Sequence, residues 1–143
     1  MLDPETLERL EKAIDRVKEK SAEGVAIVVE GKNDEKALRK LGIEGPIHRV
    51  PEGDKTLLNT LEGLPDYDEA IVLTDFDRTG EKMASFCRKH MEKLGTKVLY
   101  EFRNKIRHYL RKGVKDIEGI SSFLRKERSS GKKNDFRLSN DFV

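Results

Sequence analysis

The sequence has few of the residues that stabilise disulfide-rich and zinc-bound proteins. It contains one cysteine, Cys87, three histidines and no tryptophan among 143 residues, and neither a CxxC nor an HExxH pattern occurs. A single cysteine cannot form an internal disulfide, and a structural zinc site is not expected without a cysteine and histidine cluster. No stretch approaches the roughly 18 consecutive apolar residues of a membrane-spanning helix, and the first ten residues are too charged for a signal peptide. We therefore expect a cytoplasmic protein with no membrane partner.

Charge of both signs is abundant, and it is unevenly distributed. Charged residues make up 39% of the chain, against about 25% in an average soluble protein. The net charge of +2 combines −4 over residues 1–100 with +6 over residues 101–143. A basic segment of this kind favours a polyanionic partner, although solvated helix faces of a charge-rich protein have the same composition.

Apolar periodicity predicts helices that alternate with strands. Leu7, Leu10, Ile14 and Val17 recur at three- and four-residue steps after an Asp3–Pro4 start, which predicts a helix over residues 3–20. Unbroken apolar runs at 25–29 and 70–73 are typical of strands buried on both faces. The same reasoning predicts shorter strands at 47–50 and 97–100, and helices at 33–41, 57–64, 80–94 and 102–110.

This alternation predicts one α/β domain with about four parallel strands and helices on both faces of the sheet. A chain of 143 residues has room for little more than one core. We place the domain at residues 1–128, with its core at 24–100 and a basic helical region at 101–128. The polar segment 129–143 is expected to be a mobile tail.

Acidic residues follow two of the predicted strands. Glu30 comes after the first strand in VVEGKND, and Asp75 and Asp77 come after the third in VLTDFDRTG. Ligands collect at the carboxyl ends of strands in open parallel sheets, and side chains two residues apart on an extended segment point the same way. Carboxylates so close repel unless a cation lies between them, and a carboxylate site without cysteine or histidine favours Mg²⁺ or Mn²⁺. Glu30, Asp75 and Asp77 are therefore the candidate metal ligands.

The segments EGKNDEKAL around Glu30 and TDFDRTG around Asp75 and Asp77 resemble the two signatures of the Toprim domain. Topoisomerases, bacterial primases and some nucleases share this domain. The resemblance spans roughly residues 24–100 and is greatest to small stand-alone Toprim proteins of archaea, then to the bacterial ribonuclease that matures 5S ribosomal RNA. It implies a Rossmann-like Toprim fold, Glu30 as general acid or base, and Mg²⁺ held by the aspartates, with all three residues catalytic. A weaker similarity to that ribonuclease, in the segment DIEGI, adds Glu118 as a candidate carboxylate.

Basic residues near these motifs are candidate phosphate contacts. Lys32 and Arg78 lie beside the acidic residues and either stabilise a phosphate anion or are ordinary surface side chains. The tract 103–133 carries 11 lysines and arginines against three acidic residues, which suits a nucleic-acid backbone. Its candidate contacts are Arg103, Lys105, Arg107, Arg111 and Lys112. Asp34 is a helix cap or, alternatively, a further metal ligand.

The shortness of the chain favours one reaction of the Toprim group. It leaves no room for the strand-passing body of a topoisomerase or the template-handling domains of a primase, so we expect Mg²⁺-dependent hydrolysis of RNA or DNA. Two alternatives stay open: a module that binds nucleic acid or a ribonucleoprotein without cutting it, and a nucleotidyl-transfer subunit that acts only within a protein complex. Cys87 falls on the apolar stripe of its helix, so we expect a buried thiol and not a nucleophile.

Overall fold

A computed structural model describes residues 3–50, 61, 67–110, 116 and 118–130, with the backbone alone at 118 and 128–130. The elements in chain order are α1 (Pro4–Ala22), β1 (Ala26–Val29), α2 (Lys32–Lys40), β2 (Ile47–Arg49), β3 (Glu69–Val72), α3 (Arg78–Lys93), β4 (Lys97–Val98), α4 (Glu101–Leu110) and α5 (Glu118–Ser130). Their bounds confirm the predicted elements to within a few residues. Of the helix predicted at 57–64 only Leu61 is described, and residues 131–143 of the expected tail lie outside the described residues.

The four described strands form one sheet in the order β2-β1-β3-β4, and every neighbouring pair is parallel. Ile27 of β1 pairs with Ile47 of β2 on one side and with Ile71 of β3 on the other. This is the predicted α/β architecture, and it is Rossmann-like. β1 and β3 are the two central strands. β2 lies outside β1 and β4 lies outside β3, so the strand order runs in opposite directions from this central pair. The reversal makes the β1–β3 boundary the topological switch point of the sheet, where ligands of such folds bind.

Both faces of the sheet are covered, which explains the unbroken apolar runs. Ile27 and Val29 of β1 pack in a core with α1, α2, α4 and α5. Ala26 and Val28 point to the other face and pack with α3 and with Leu61, which is fully buried. Because alternate side chains of a strand face opposite sides, a strand buried on both faces must be apolar at every position. Among the described helices, none is both long and apolar enough to cross a membrane.

Candidate acidic site at the carboxyl edge of the sheet

The two acidic motifs meet at the switch point. Glu30 directly follows β1, and Asp75 lies three residues after the end of β3. Because β1 and β3 are paired in parallel, with Val28 opposite Val72, their carboxyl ends lie side by side. The Glu30 carboxylate accepts a hydrogen bond from the backbone N–H of Asp75 at 2.6 Å. The fold thus joins two motifs that are 45 residues apart in sequence.

Asp77 is oriented by the helix that follows it. It is the N-cap of α3, and its side chain accepts a hydrogen bond from the backbone N–H of Gly80 at 2.7 Å. Aspartate is among the strongest N-caps, since it satisfies a backbone N–H that has no partner inside the helix. Asp77 is exposed, and its hydrogen bond holds the carboxylate at the electropositive end of α3.

The loop between β3 and α3 is tightly folded. The Thr74 hydroxyl donates to the Gly80 carbonyl at 2.6 Å, which closes the loop around Asp75 and Asp77. A Cβ atom at Gly80 would lie 1.8 Å from the carbonyl oxygen of Asp75, so only glycine allows this close approach. Close packing and a hydrogen bond within the loop therefore help to hold the two aspartates in place.

Arg103 holds the same loop from α4. Arg103 is 3% exposed; its Nε donates to the Thr74 carbonyl at 3.1 Å, and a terminal nitrogen donates to the Asp75 carbonyl. The other terminal nitrogen pairs with the Glu81 carboxylate at 2.7 Å. The expectation of Arg103 as a phosphate contact is thus corrected, because its guanidinium is buried against protein carbonyls. Arg107 reaches the same Glu81 oxygen at 3.1 Å but is exposed.

Thr74, Gly80 and Glu81 also shape this edge, and the sequence patterns did not predict that role for them. The burial of Arg103, in contrast, was indicated by its position in the sequence. Arg103 lies three residues before Ile106 and seven before Leu110, both buried in α4. This spacing places Arg103 on the apolar side of the helix, and a buried arginine needs internal acceptors.

The other candidate residues are placed as follows. Asp34 caps α2, where its carboxylate accepts from the Gly31 backbone N–H at 3.0 Å. Lys32 and Arg78 are the exposed first residues of α2 and α3, so both lie at the acidic edge. Lys105 is exposed on another side of α4. Arg111, Lys112 and the side chain of Glu118 lie outside the described residues.

The donor chemistry at this edge suits a hard divalent cation, since it consists of carboxylates. Among the described residues, however, no three His, Cys, Asp or Glu side chains converge closely enough to hold one ion. Mg²⁺ does not require such a trio, because it is usually bound through one or two carboxylates while water and substrate phosphates fill the remaining positions. Glu30, Asp75 and Asp77 fit that kind of open site in chemical type.

Cys87 lies in the core below this edge. The thiol is fully buried, which confirms the expectation from its apolar stripe. Burial, and to a smaller extent the negative charge of Glu30, together raise the pKa of Cys87 to about 12. A thiol with such a pKa is protonated at neutral pH and is a poor nucleophile.

Comparison with known proteins gives the family of the chain. No family model matches it. The UPF0292 protein of Pyrococcus furiosus is 39% identical over 117 residues, covering 82% of this chain and 85% of that protein. The UPF0292 protein of Methanosarcina barkeri is 35% identical over 123 residues, covering 85% of each. A solved structure of a protein from Aquifex aeolicus has a TM-score of 0.63 and 29% identity, covering 78% of this chain and 97% of that one, in agreement with the Rossmann-like fold. With identity of this extent over most of both chains, this chain belongs to the UPF0292 family.

Proposed function

We propose that this chain is a Toprim-like enzyme that hydrolyses phosphodiester bonds of RNA or DNA with Mg²⁺ or Mn²⁺, in the cytoplasm. The observation that carries the proposal is the 2.6 Å hydrogen bond between the Glu30 carboxylate and the Asp75 backbone N–H. It supports the proposal because two separate acidic motifs meet where ligands of this class of sheet bind. The N-termini of α2 and α3 begin at the same edge, and helix N-termini attract phosphate.

Each residue at the edge has a proposed task. Glu30, half-buried and oriented by the Asp75 N–H, takes a proton from the attacking water or returns one to the leaving oxygen. Asp75 and Asp77 would hold the metal ion together with phosphate oxygens. A bound Mg²⁺ supplies charge neutralisation at the phosphate. Lys32 and Arg78 stabilise the remaining negative charge, and Arg103 positions the aspartate loop.

The test is cleavage of labelled structured RNA, single-stranded DNA and duplex DNA in Mg²⁺, Mn²⁺ or chelator. Three variants exchange one carboxylate for an amide of equal size: Glu30→Gln, Asp75→Asn and Asp77→Asn. Asparagine caps helices as well as aspartate, so Asp77→Asn removes charge and keeps the start of α3. Asp68→Asn, the same change at the opposite end of β3, is the control.

We expect metal-dependent cleavage that falls by about 100-fold or more in Glu30→Gln, in the range of general acid–base catalysis, and is unchanged in Asp68→Asn. Cleavage by the three site variants at the rate of the parent protein would contradict the proposal, since it would indicate a contaminating nuclease.

The alternative function is binding of nucleic acid or a ribonucleoprotein complex without cleavage. It is favoured by the finding that no three acidic side chains converge on one point in the described part of the chain. It predicts no cleavage of any substrate, together with a dissociation constant that Glu30→Gln leaves unchanged. A nucleotidyl-transfer subunit would instead be inactive until its partner proteins are added.

A further inference from the structure

A basic cleft lies between α1 and α4, on the face of the sheet that these helices cover. Its volume is about 540 Å³. Among the described residues, six cations from three elements line it: Arg9, Lys12, Arg16, Lys20, Lys97 and Lys105. The acidic residues in its lining are Glu69 and Glu101, so cations outnumber anions by three to one. None of the six cations except Lys105 lies in the tract that the sequence marked as basic.

The α1 cations form a row along the cleft. At 100° per residue, positions 9, 12, 16 and 20 fall within about 80° of the helix circumference, next to the buried stripe of α1. The row runs over 11 residues, or about 16 Å at a rise of 1.5 Å per residue. One strand of duplex DNA has a phosphate about every 3.4 Å along its axis, so the row matches about five phosphates. This length suits an extended anion better than a single phosphate group.

The cations are available to a ligand. Arg9 pairs with Glu5 at 2.7 Å, Lys12 with Glu8 at 3.3 Å and Arg16 with Glu19 at 3.9 Å. All three pairs are exposed contacts within one helix. Such pairs contribute only about 0.3 to 0.5 kcal/mol each, so a phosphate can replace them at little cost. Lys20, Lys97 and Lys105 form no ion pair with any residue that the structure describes.

The cleft and the acidic edge lie on opposite sides of α4. Lys105 and Tyr109 line the cleft, whereas Arg103 and Arg107 point to Glu81 beside the aspartate loop. At 100° per residue the two pairs are separated by roughly half a turn.

The cleft also reaches Glu69 and Lys97, the first residues of β3 and β4, whereas Asp75 follows the other end of β3. At about 3.3 Å per residue, the far end of the cleft is therefore about 20 Å from the acidic edge. A nucleic-acid strand with a phosphate about every 3.4 Å spans that distance with about six nucleotides.

We propose that the cleft between α1 and α4 binds the phosphate backbone of nucleic acid. The inference deepens the proposed function and rests on it for the choice of nucleic acid over other polyanions. Lysine and arginine contacts to phosphate give affinity without sequence information, so the cleft holds the substrate while the acidic edge acts on it. It binds in the absence of a metal ion, because none of its cations belongs to the acidic edge.

The test measures binding of labelled oligonucleotides by fluorescence anisotropy in chelator, over a series of salt concentrations. The cleft variant combines Lys12→Gln, Arg16→Gln, Lys20→Gln and Lys105→Gln. The control variant removes the same charge from exposed lysines of α2 and α3, with Lys36→Gln, Lys40→Gln, Lys89→Gln and Lys93→Gln. Glutamine is nearly as good a helix former as lysine, so both variants are expected to fold, which circular dichroism checks.

We expect the cleft variant to bind at least 10-fold more weakly, and the slope of log K against log salt to decrease by about 3, as for the loss of four phosphate contacts. The control variant should keep the affinity and the salt slope of the parent protein. Equal losses in the two variants, no loss in the cleft variant, or no binding by the parent protein would overturn the inference. Competition by poly-glutamate as strong as that of an oligonucleotide of equal charge would also overturn it, since phosphate would not be the recognised group.

The outcomes separate this inference from the proposed function. If oligonucleotides bind in chelator through the cleft but are never cleaved, the cleft proposal stands and the catalytic one fails. If cleavage occurs and the cleft variant cleaves and binds like the parent protein, the cleft proposal fails and the catalytic one stands.

Discussion

Replacing Arg103 tests whether this side chain supports the acidic edge from inside the protein. Arg103→Met keeps a long side chain with high helix propensity and removes all the guanidinium donors. The carbonyl oxygens of Thr74 and Asp75 then lose their bonds from Arg103, and Glu81 loses one of its two arginine partners. The expected result is a less stable protein whose aspartate loop is no longer held from α4.

The size of the effect follows from the burial of each contact. A hydrogen bond from a charged donor contributes about 1.5 to 3 kcal/mol, and Arg103 makes two of them to backbone carbonyls. The Glu81 side chain is 40% exposed, so its ion pair adds at most about 1 kcal/mol. We expect the free energy of unfolding to fall by about 3 to 5 kcal/mol, a large part of the 5 to 15 kcal/mol typical of a domain.

Urea denaturation followed by circular dichroism measures this loss. Arg107→Met is the matched control, because Arg107 lies on the same helix and pairs with the same Glu81 oxygen but is exposed. Arg107→Met should lower the free energy of unfolding by no more than about 1 kcal/mol. If Arg103→Met cost as little as Arg107→Met, and instead lowered the salt slope of nucleic-acid binding by about 1, Arg103 would be a phosphate contact and the structural reasoning would be refuted.

Two further predictions concern the loop and the thiol. Gly80→Ala places a Cβ 1.8 Å from the Asp75 carbonyl oxygen, so we expect a loss of about 1 to 3 kcal/mol in urea denaturation, and unchanged stability would contradict the tight loop. Cys87 should react with a thiol reagent at pH 8 only when urea unfolds the chain, and fast labelling of the native protein would contradict its burial. Because the pKa of Cys87 rises from 9.0 to about 12 on folding, the folded protein keeps a proton that the unfolded chain loses above pH 9. The protonated thiol therefore makes its whole contribution to the free energy of unfolding below about pH 9, and that contribution is lost as the pH rises toward 12.

At the acidic edge, local sequence patterns predicted the positions of the acidic residues but not the contact between them. The position of Glu30 after β1 and of Asp75 after β3 was predictable, because apolar runs mark buried parallel strands and the carboxyl ends of such strands share one edge. The contact between the two residues depended on β1 and β3 being neighbours. That adjacency was not encoded in any local pattern, since β2 lies between them in sequence and outside them in the sheet.

The sequence by itself determined the α/β class, most of the helix and strand positions, the burial of Cys87 and the capping role open to Asp34. These features depend on apolar spacing and capping residues within a few positions of one another. Only the tertiary structure decided that the acceptors of the inward-facing Arg103 lie in the Asp75 loop, 28 residues away, and that cations of α1 join Lys97 and Lys105 in one cleft. The physical reason is that a charged side chain takes its role from the groups that packing brings beside it, and those groups come from distant parts of the chain.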